Sequence, residues 1–217
     1  MKFGLRSKLL IIIGTLIGIS LADFLLISIT QNKASERLEW VTHTQQVINE
    51  SEAFLGYLRD AETGQRGYLL TLTTDYLEPY HNGVKASRQS LDTLSELTRD
   101  NPAQQALLSD ISRLMDAKFL ELSETIGYAS LGDTAKALEI VKSDLGKELM
   151  DQIRILVDEF ITHEHHLLEE RTRSYEEHNS ILKHLLVLEV SIFLVILVFR
   201  VMVISGVWGD RRMAYPV

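Results

Sequence analysis

The 217-residue chain contains no Cys, and that absence excludes a disulfide scaffold, a thiolate metal site and a cysteine nucleophile. It has only three Pro, Pro79, Pro102 and Pro216, so long stretches are free of the residue that most disrupts a helix. There is no glycine-rich phosphate loop, no nucleophile elbow and no paired-carboxylate constellation, so no catalytic activity is expected. No stretch alternates apolar and polar residues as a half-buried strand does. The chain also lacks a basic excess: 22 Lys and Arg stand against 30 Asp and Glu. A net charge of −8 argues against a nucleic-acid partner, which needs a basic face.

The apolar residues are gathered at the two ends. Leu9 to Ile29 is a run of 21 residues with one charge, Asp23, and a bilayer-spanning helix needs about 20. Leu185 to Ile204 is a second run, interrupted by Glu189 and Arg200. Lys2, Arg6 and Lys8 precede the first run, and Arg211 and Arg212 follow the second. Basic flanks stay cytoplasmic. The expected organisation is a cytoplasmic tail at 1–8, a span at 9–29, an extracytoplasmic segment at 30–184, a second span at 185–204 and a tail at 205–217. Charge follows the same division. Six of the 22 bases and three of the 30 acids lie outside 30–184, which leaves 16 against 27, a net of −11 for the middle segment. The bilayer is thus an expected partner, and the expected location is a bacterial inner membrane.

A cleaved signal peptide is the alternative for the first run, because Ser20-Leu21-Ala22 resembles a cleavage site. The apolar run continues through Phe24 to Ile29, further than an ordinary signal requires. Gly14, Gly18 and Ala22 lie four apart, a face on which two helices can pack closely. Asp23 and Glu189 lie at similar depths below the outer ends of their spans and are expected to face each other. Trp208 and Tyr215 read as interfacial anchors.

The middle segment reads as an antiparallel four-helix bundle, making the fold all-α. Asp75 with Glu78 forms a capping-box pattern. Asn101-Pro102 is an N-cap followed by proline at the first helical position. Gly132-Asp133 ends one helix and caps the next, and Ser143 to Gly146 is a further break. Between these stops apolar residues recur at helical spacing: Val41, Ile48, Leu55, Leu58, Leu69 and Leu72 on the first helix, and Leu149, Ile153, Leu156, Phe160 and Leu167 on the last. The first and last helices are expected to run on into their spans, a geometry suited to transmission.

One segment, Asp60 to Thr71, breaks local rules. The heptad that aligns Val41, Ile48, Leu55 and Leu69 places Glu62 in the same row, and the companion row holds Leu58, Gln65 and Leu72. Gly64 and Gly67 sit in a helix interior, where each costs about 1 kcal/mol relative to Ala. Rule-breaking of this kind gathers at functional or strained sites. Glu62 and Arg66 are four apart in the order that favours an ion pair. The segment is a polar staple that fixes the bundle's register, a ligand and switch element, or simply the place where the helix ends. Asp60, Glu62, Gln65, Arg66 and Tyr68 are the candidate residues, and Gly64 and Gly67 are candidate packing glycines.

Trp40-Val41-Thr42-His43-Thr44, Asp60 to Thr71, Tyr76-Leu77-Glu78-Pro79-Tyr80 and Met150-Asp151-Gln152-Ile153-Arg154 together resemble the CHASE extracellular sensory domain of the third class, over about 35–175. The resemblance implies an extracytoplasmic four-helix sensory bundle between two spans, ahead of a HAMP, histidine-kinase or diguanylate-cyclase output module. It carries over no binding residues. Two departures stand out. Leu72 occupies a position where that family usually has glycine, which predicts a shifted turn or a longer helix. Only 13 residues follow Ile204, so the chain reads as a freestanding sensor or the front of a longer receptor. The resemblance thus implies an unknown extracytoplasmic ligand and a signalling partner, and the sensor geometry implies a homodimer.

His163-Glu164-His165-His166 lacks the zincin spacing, because Leu167 stands where the second His is needed. Glu159, His163, His166 and Glu170 can share a helical face, but His163 falls on the apparent core stripe. No metal and no cofactor is expected.

Overall fold

The structure, a computed structural model, describes residues 5–211, with side chains described for 14, 15 and 17–198. Among the described residues there are five α-helices, one 3-10 turn and no strand: α1 (Leu5–Thr71), the turn (Thr74–Tyr76), α2 (Leu77–Leu97), α3 (Pro102–Ser130), α4 (Thr134–Lys142) and α5 (Leu145–Arg211). The chain divides into two compact units, Trp40–Glu170 and a second made of Met1–Glu39 with Arg171–Val217. The tail residues 1–4 and 212–217, with Lys2, Arg212 and Tyr215, lie outside the described residues, as do the side chains of Arg6, Lys8, Arg200, Trp208 and Arg211.

The first unit is an all-α bundle. Ser90 Oγ donates to the Glu50 carbonyl, and a Cβ on Gly83 would meet Ala61, so α2 runs antiparallel to α1. Ser95 bonds Gln105 and Arg88 pairs with Asp116, which sets α3 antiparallel to α2. Gln104 bonds Glu164, while Gly146 lies against Lys118 and Glu121, so α5 returns antiparallel to α3.

Two heptad rows on each long helix build the core. On α1 they are Thr44, Ser51, Leu58, Gln65 and Val47, Phe54, Ala61, Tyr68, all buried. This corrects the expected stripe: Val41, Leu55 and Leu69 are only flanking positions, and Leu72 is 51% exposed. The true rows are hard to see because Thr44, Ser51 and Ala61 are small or polar. Thr44 and Ser51 satisfy their hydroxyls within the helix, at the Trp40 and Val47 carbonyls. On α3 the rows are Gln104, Ile111, Lys118, Thr125 and Leu108, Met115, Leu122, Ala129. On α5 they include Ile153, Phe160, Met150, Val157 and Glu164. Each large core side chain, such as Phe54, Met115 or Phe160, contributes roughly 1.5–3 kcal/mol of apolar burial.

His163 is exposed and its neighbour Glu164 takes the core position, contrary to the sequence reading. The heptad shift of one residue explains this: Met150 and Val157 lead to 164. Gln104 Nε2 donates to Glu164 Oε1 at 2.7 Å and to the Phe160 carbonyl at 3.3 Å. Among the described residues no three His, Asp or Glu side chains are placed to share a metal ion.

Helix ends follow the sequence with two exceptions. Asn101 Oδ1 accepts from Gln104 N and Asp133 Oδ1 from Lys136 N, as N-caps do. The Asp75–Glu78 capping box does not form. Asp75 sits inside the 3-10 turn, and Tyr76 precedes α2 with no side-chain cap bond. The turn after α1 is not shifted either. Leu72 itself takes the left-handed conformation, φ 54°, and its N–H bonds the Tyr68 carbonyl at 2.7 Å.

The second unit pairs residues 5–39 of α1 with 171–211 of α5. Among its described residues Ala34 and Leu182 are buried. Arg37 Nη1 donates to Ser174 Oγ. Asp23 and Glu189 both line one small cavity of about 50 Å³. Outward lie exposed apolar side chains, among them Phe24, Leu25 and Ile29 on α1 and Val187, Phe193 and Val195 on α5. Among the described residues, α5 contains a stretch long and apolar enough to cross a membrane. Among the described residues, a Cβ added to Gly14 or Gly18 would touch nothing within 4 Å.

Candidate functional site

The rule-breaking segment of α1 meets a rule-breaking segment of α3. Lys118 is 2% exposed, and its Nζ lies 3.2 Å from Glu62 Oε1 and 3.0 Å from Glu121 Oε2. A buried ammonium persists only where it is paired and hydrogen-bonded, and these two carboxylates supply that. Arg66 adds a 3.0 Å contact to Glu62 Oε1 from the surface, with its side chain 65% exposed. Next to this group Gln65 Nε2 donates to Thr125 Oγ1 at 2.7 Å.

Above the cluster opens a cavity of about 740 Å³. Glu62, Gln65, Lys118 and Glu121 line it together with Arg66, Asp144 and Lys147. Leu69, Leu138 and Val141 give it apolar walls. Two turns shape it. The α3–α4 link passes Gly132 at φ 86°, and the α4–α5 link passes Asp144 at φ 61°, a conformation Asp tolerates better than most residues. That second link brings Gly146 against the cluster: a Cβ there would lie 2.6 Å from Glu121 Oε2 and 2.8 Å from Lys118 Nζ. Any side chain at 146 would push the carboxylate off the ammonium.

Of the residues singled out from sequence, Glu62, Gln65 and Arg66 come together at this cavity. Asp60 is exposed and is not part of the cavity wall. Tyr68 is buried in a small apolar cluster with Ala129 and Ala137. Gly64 and Gly67 are packing positions: a Cβ would meet Tyr80 N at 2.6 Å and the Tyr76 ring at 2.5 Å, respectively. Tyr80, half-buried at this contact, has its hydroxyl pKa raised above the ordinary value by burial. Lys118, Glu121, Asp144, Gly146 and Lys147 were missed. A signal for Lys118 existed, since it stands in the row Gln104, Ile111, Thr125 and so demands a buried acid opposite.

The CHASE3 domain family matches residues 37–174. The chain belongs to the CHASE3 family. CHASE3 domains are extracellular sensory domains, so the cavity and its charge cluster lie within a sensory domain. The sensor domain of the Rhodopseudomonas palustris histidine kinase HK9 has a similar structure, with a TM-score of 0.55 and 25% identity, covering 58% of this chain and 98% of that one. No curated protein matches the chain.

Proposed function

We propose that this CHASE3 protein is a membrane-bound sensor whose bundle stands outside the cytoplasmic membrane and whose α1 and α5 carry the signal inward. The observation that carries this reading is the buried Glu62–Lys118–Glu121 cluster beneath an open cavity. A cluster serving only as a staple fixes register and needs no cavity above it. The two exposed apolar segments, 17–29 and 187–198, support lipid as their surroundings, because apolar helix faces of that extent are not left in water. In this reading residues 30–184 are periplasmic and both termini are cytoplasmic. The protein performs no catalysis of its own. It passes helix movement to an output module of the histidine-kinase or diguanylate-cyclase type, carried further along the polypeptide or by a partner. It acts as a homodimer, with the small-residue Gly14–Gly18 face of α1 as the contact for a second copy.

The absence of native Cys makes a direct test practical. Ala34 and Asn179 line one groove between α1 and α5. In the Ala34→Cys/Asn179→Cys protein in membranes, disulfide formation should change in rate when Glu62→Gln and Lys118→Gln are added. An unchanged rate with the fold intact favours the staple reading, a membrane-anchored structural bundle without ligand.

A further inference from the structure

The chemistry of the cavity selects a ligand class. Its floor holds two carboxylates, Glu62 and Glu121, against one ammonium, Lys118, all three at least nine-tenths buried. These three side chains carry two negative charges against one positive, and Arg66 at the rim pairs with Glu62 at 3.0 Å. Glu62 Oε1 accepts from Lys118, and it is also the oxygen Arg66 reaches; Glu121 Oε2 accepts from Lys118. Glu62 Oε2 and Glu121 Oε1 take no hydrogen bond from the described residues, and neither is a fully buried orphan. They have lone pairs to offer within a site that water-screened rim charges influence less. The rim charges are Arg66, Lys147 and Asp144. Arg66, 65% exposed, pairs with Glu62 from the solvent side, a contact that water weakens, and leaves Glu121 to Lys118 alone. The walls above, Leu69, Leu138 and Val141, are apolar. The acidic middle segment, net −11 by the count above, draws cations toward the domain as a whole.

We infer that this cavity binds an amphiphilic organic cation, its ammonium or guanidinium donating to Glu121 and Glu62 and its apolar body lying on Leu69, Leu138 and Val141. The inference rests on the sensor reading for its meaning, and on the cavity alone for its test. Charge-assisted hydrogen bonds in a partly desolvated site discriminate more strongly than area burial, so the head group decides affinity. Gly146 enters as a positioning residue, because it leaves room for Glu121 to hold Lys118 with one oxygen and present the other.

The test is calorimetric titration of the full chain in lipid nanodiscs, with empty nanodiscs as the control. Phenylbutylamine, phenylbutanol and phenylbutyrate share one apolar body and differ in head group. The amine should bind at least about tenfold more tightly than the alcohol, and the carboxylate should be weakest. Sodium ion alone should give no heat. Glu121→Gln, which keeps shape and removes charge, should erase the preference for the amine. Ala135→Trp, at an exposed cavity residue, should remove binding of all three while helical content stays unchanged. Equal binding of amine and alcohol, tighter binding of the carboxylate, no amine binding, or full binding by Ala135→Trp would each overturn the inference. Binding in nanodiscs is blind to which side of a cell membrane the bundle occupies, so a negative result removes the ligand class and leaves the sensor reading to its own tests.

Discussion

Lys118 and Glu62 are 56 positions apart and their charged atoms lie 3.2 Å from one another, both in the interior of the bundle. The pair joins α1 to α3, and Glu121 extends it toward the start of α5 through Gly146. Three helices are thus registered by one ammonium.

Breaking that group from the cationic side should be severe. Lys118→Met leaves the buried Glu121 without a cation and Glu62 with only the exposed Arg66, and should cost about 3–5 kcal/mol. Arg66→Ala removes a pair whose basic partner is 65% exposed and should cost under about 1 kcal/mol. Urea unfolding of the full chain in detergent, followed by circular dichroism, measures both. Equal losses would mean that the surface arm, not the buried ammonium, holds the cluster.

Glycines should divide by what faces them. A Cβ on Gly83 would sit 2.5 Å from the Tyr57 carbonyl and 2.7 Å from Ala61 N, both backbone atoms of α1. Gly83→Ala should therefore destabilise by roughly 1–3 kcal/mol. Gly56 and Gly127 meet nothing within 4 Å. Gly56→Ala and Gly127→Ala should stabilise by about 0.5–1 kcal/mol each, through helix propensity. The same denaturation series checks all three signs.

Leu72 holds φ 54° in the turn after α1, a conformation that costs an ordinary L-residue roughly 1–2 kcal/mol. Leu72→Gly relieves that strain and gives back part of it as unfolded-chain entropy. A net gain of about 0.5–1 kcal/mol is expected. Half the Leu72 surface is already in solvent, so little packing is lost. A lower midpoint for Leu72→Gly would show that this side chain has a role in the turn beyond filling it.

Burial raises the pKa of Tyr80 above its ordinary value near 10. For such a group the folded state retains the proton longer than the unfolded state. Its contribution is complete below the unfolded value and is lost as pH climbs through the higher folded value. Stability should fall as pH rises past about 10, with a shallower fall in Tyr80→Phe. Thermal melts across that alkaline range decide it.

The helical order and most stops were legible because caps are local. Asn101 and Asp133 bond amides three residues away, so their roles show in a short window. The Asp75 box does not form because the chain spends 74–76 in a 3-10 turn, where Tyr76 and Tyr80 pack closely on Gly67 and Gly64. That is a tertiary cause no short window contains. Apolar residues alone mark a different α1 stripe, because the interior rows carry Thr44, Ser51 and Gln65. Half of the site was readable for a related reason. Glu62 and Gln65 break the pattern of their own helix. Lys118 does so less visibly, and Asp144 with Gly146 acquires a role only through the α4–α5 turn.

Alkaline-phosphatase fusion after Asp100, in the link between α2 and α3, tests the central claim most directly. The enzyme matures only outside the cytoplasm, so a sensor bundle standing between two spans predicts an active fusion there and an inactive one after Arg211. An inactive fusion at Asp100 would place the cavity and its charge cluster in the cytosol and contradict the account.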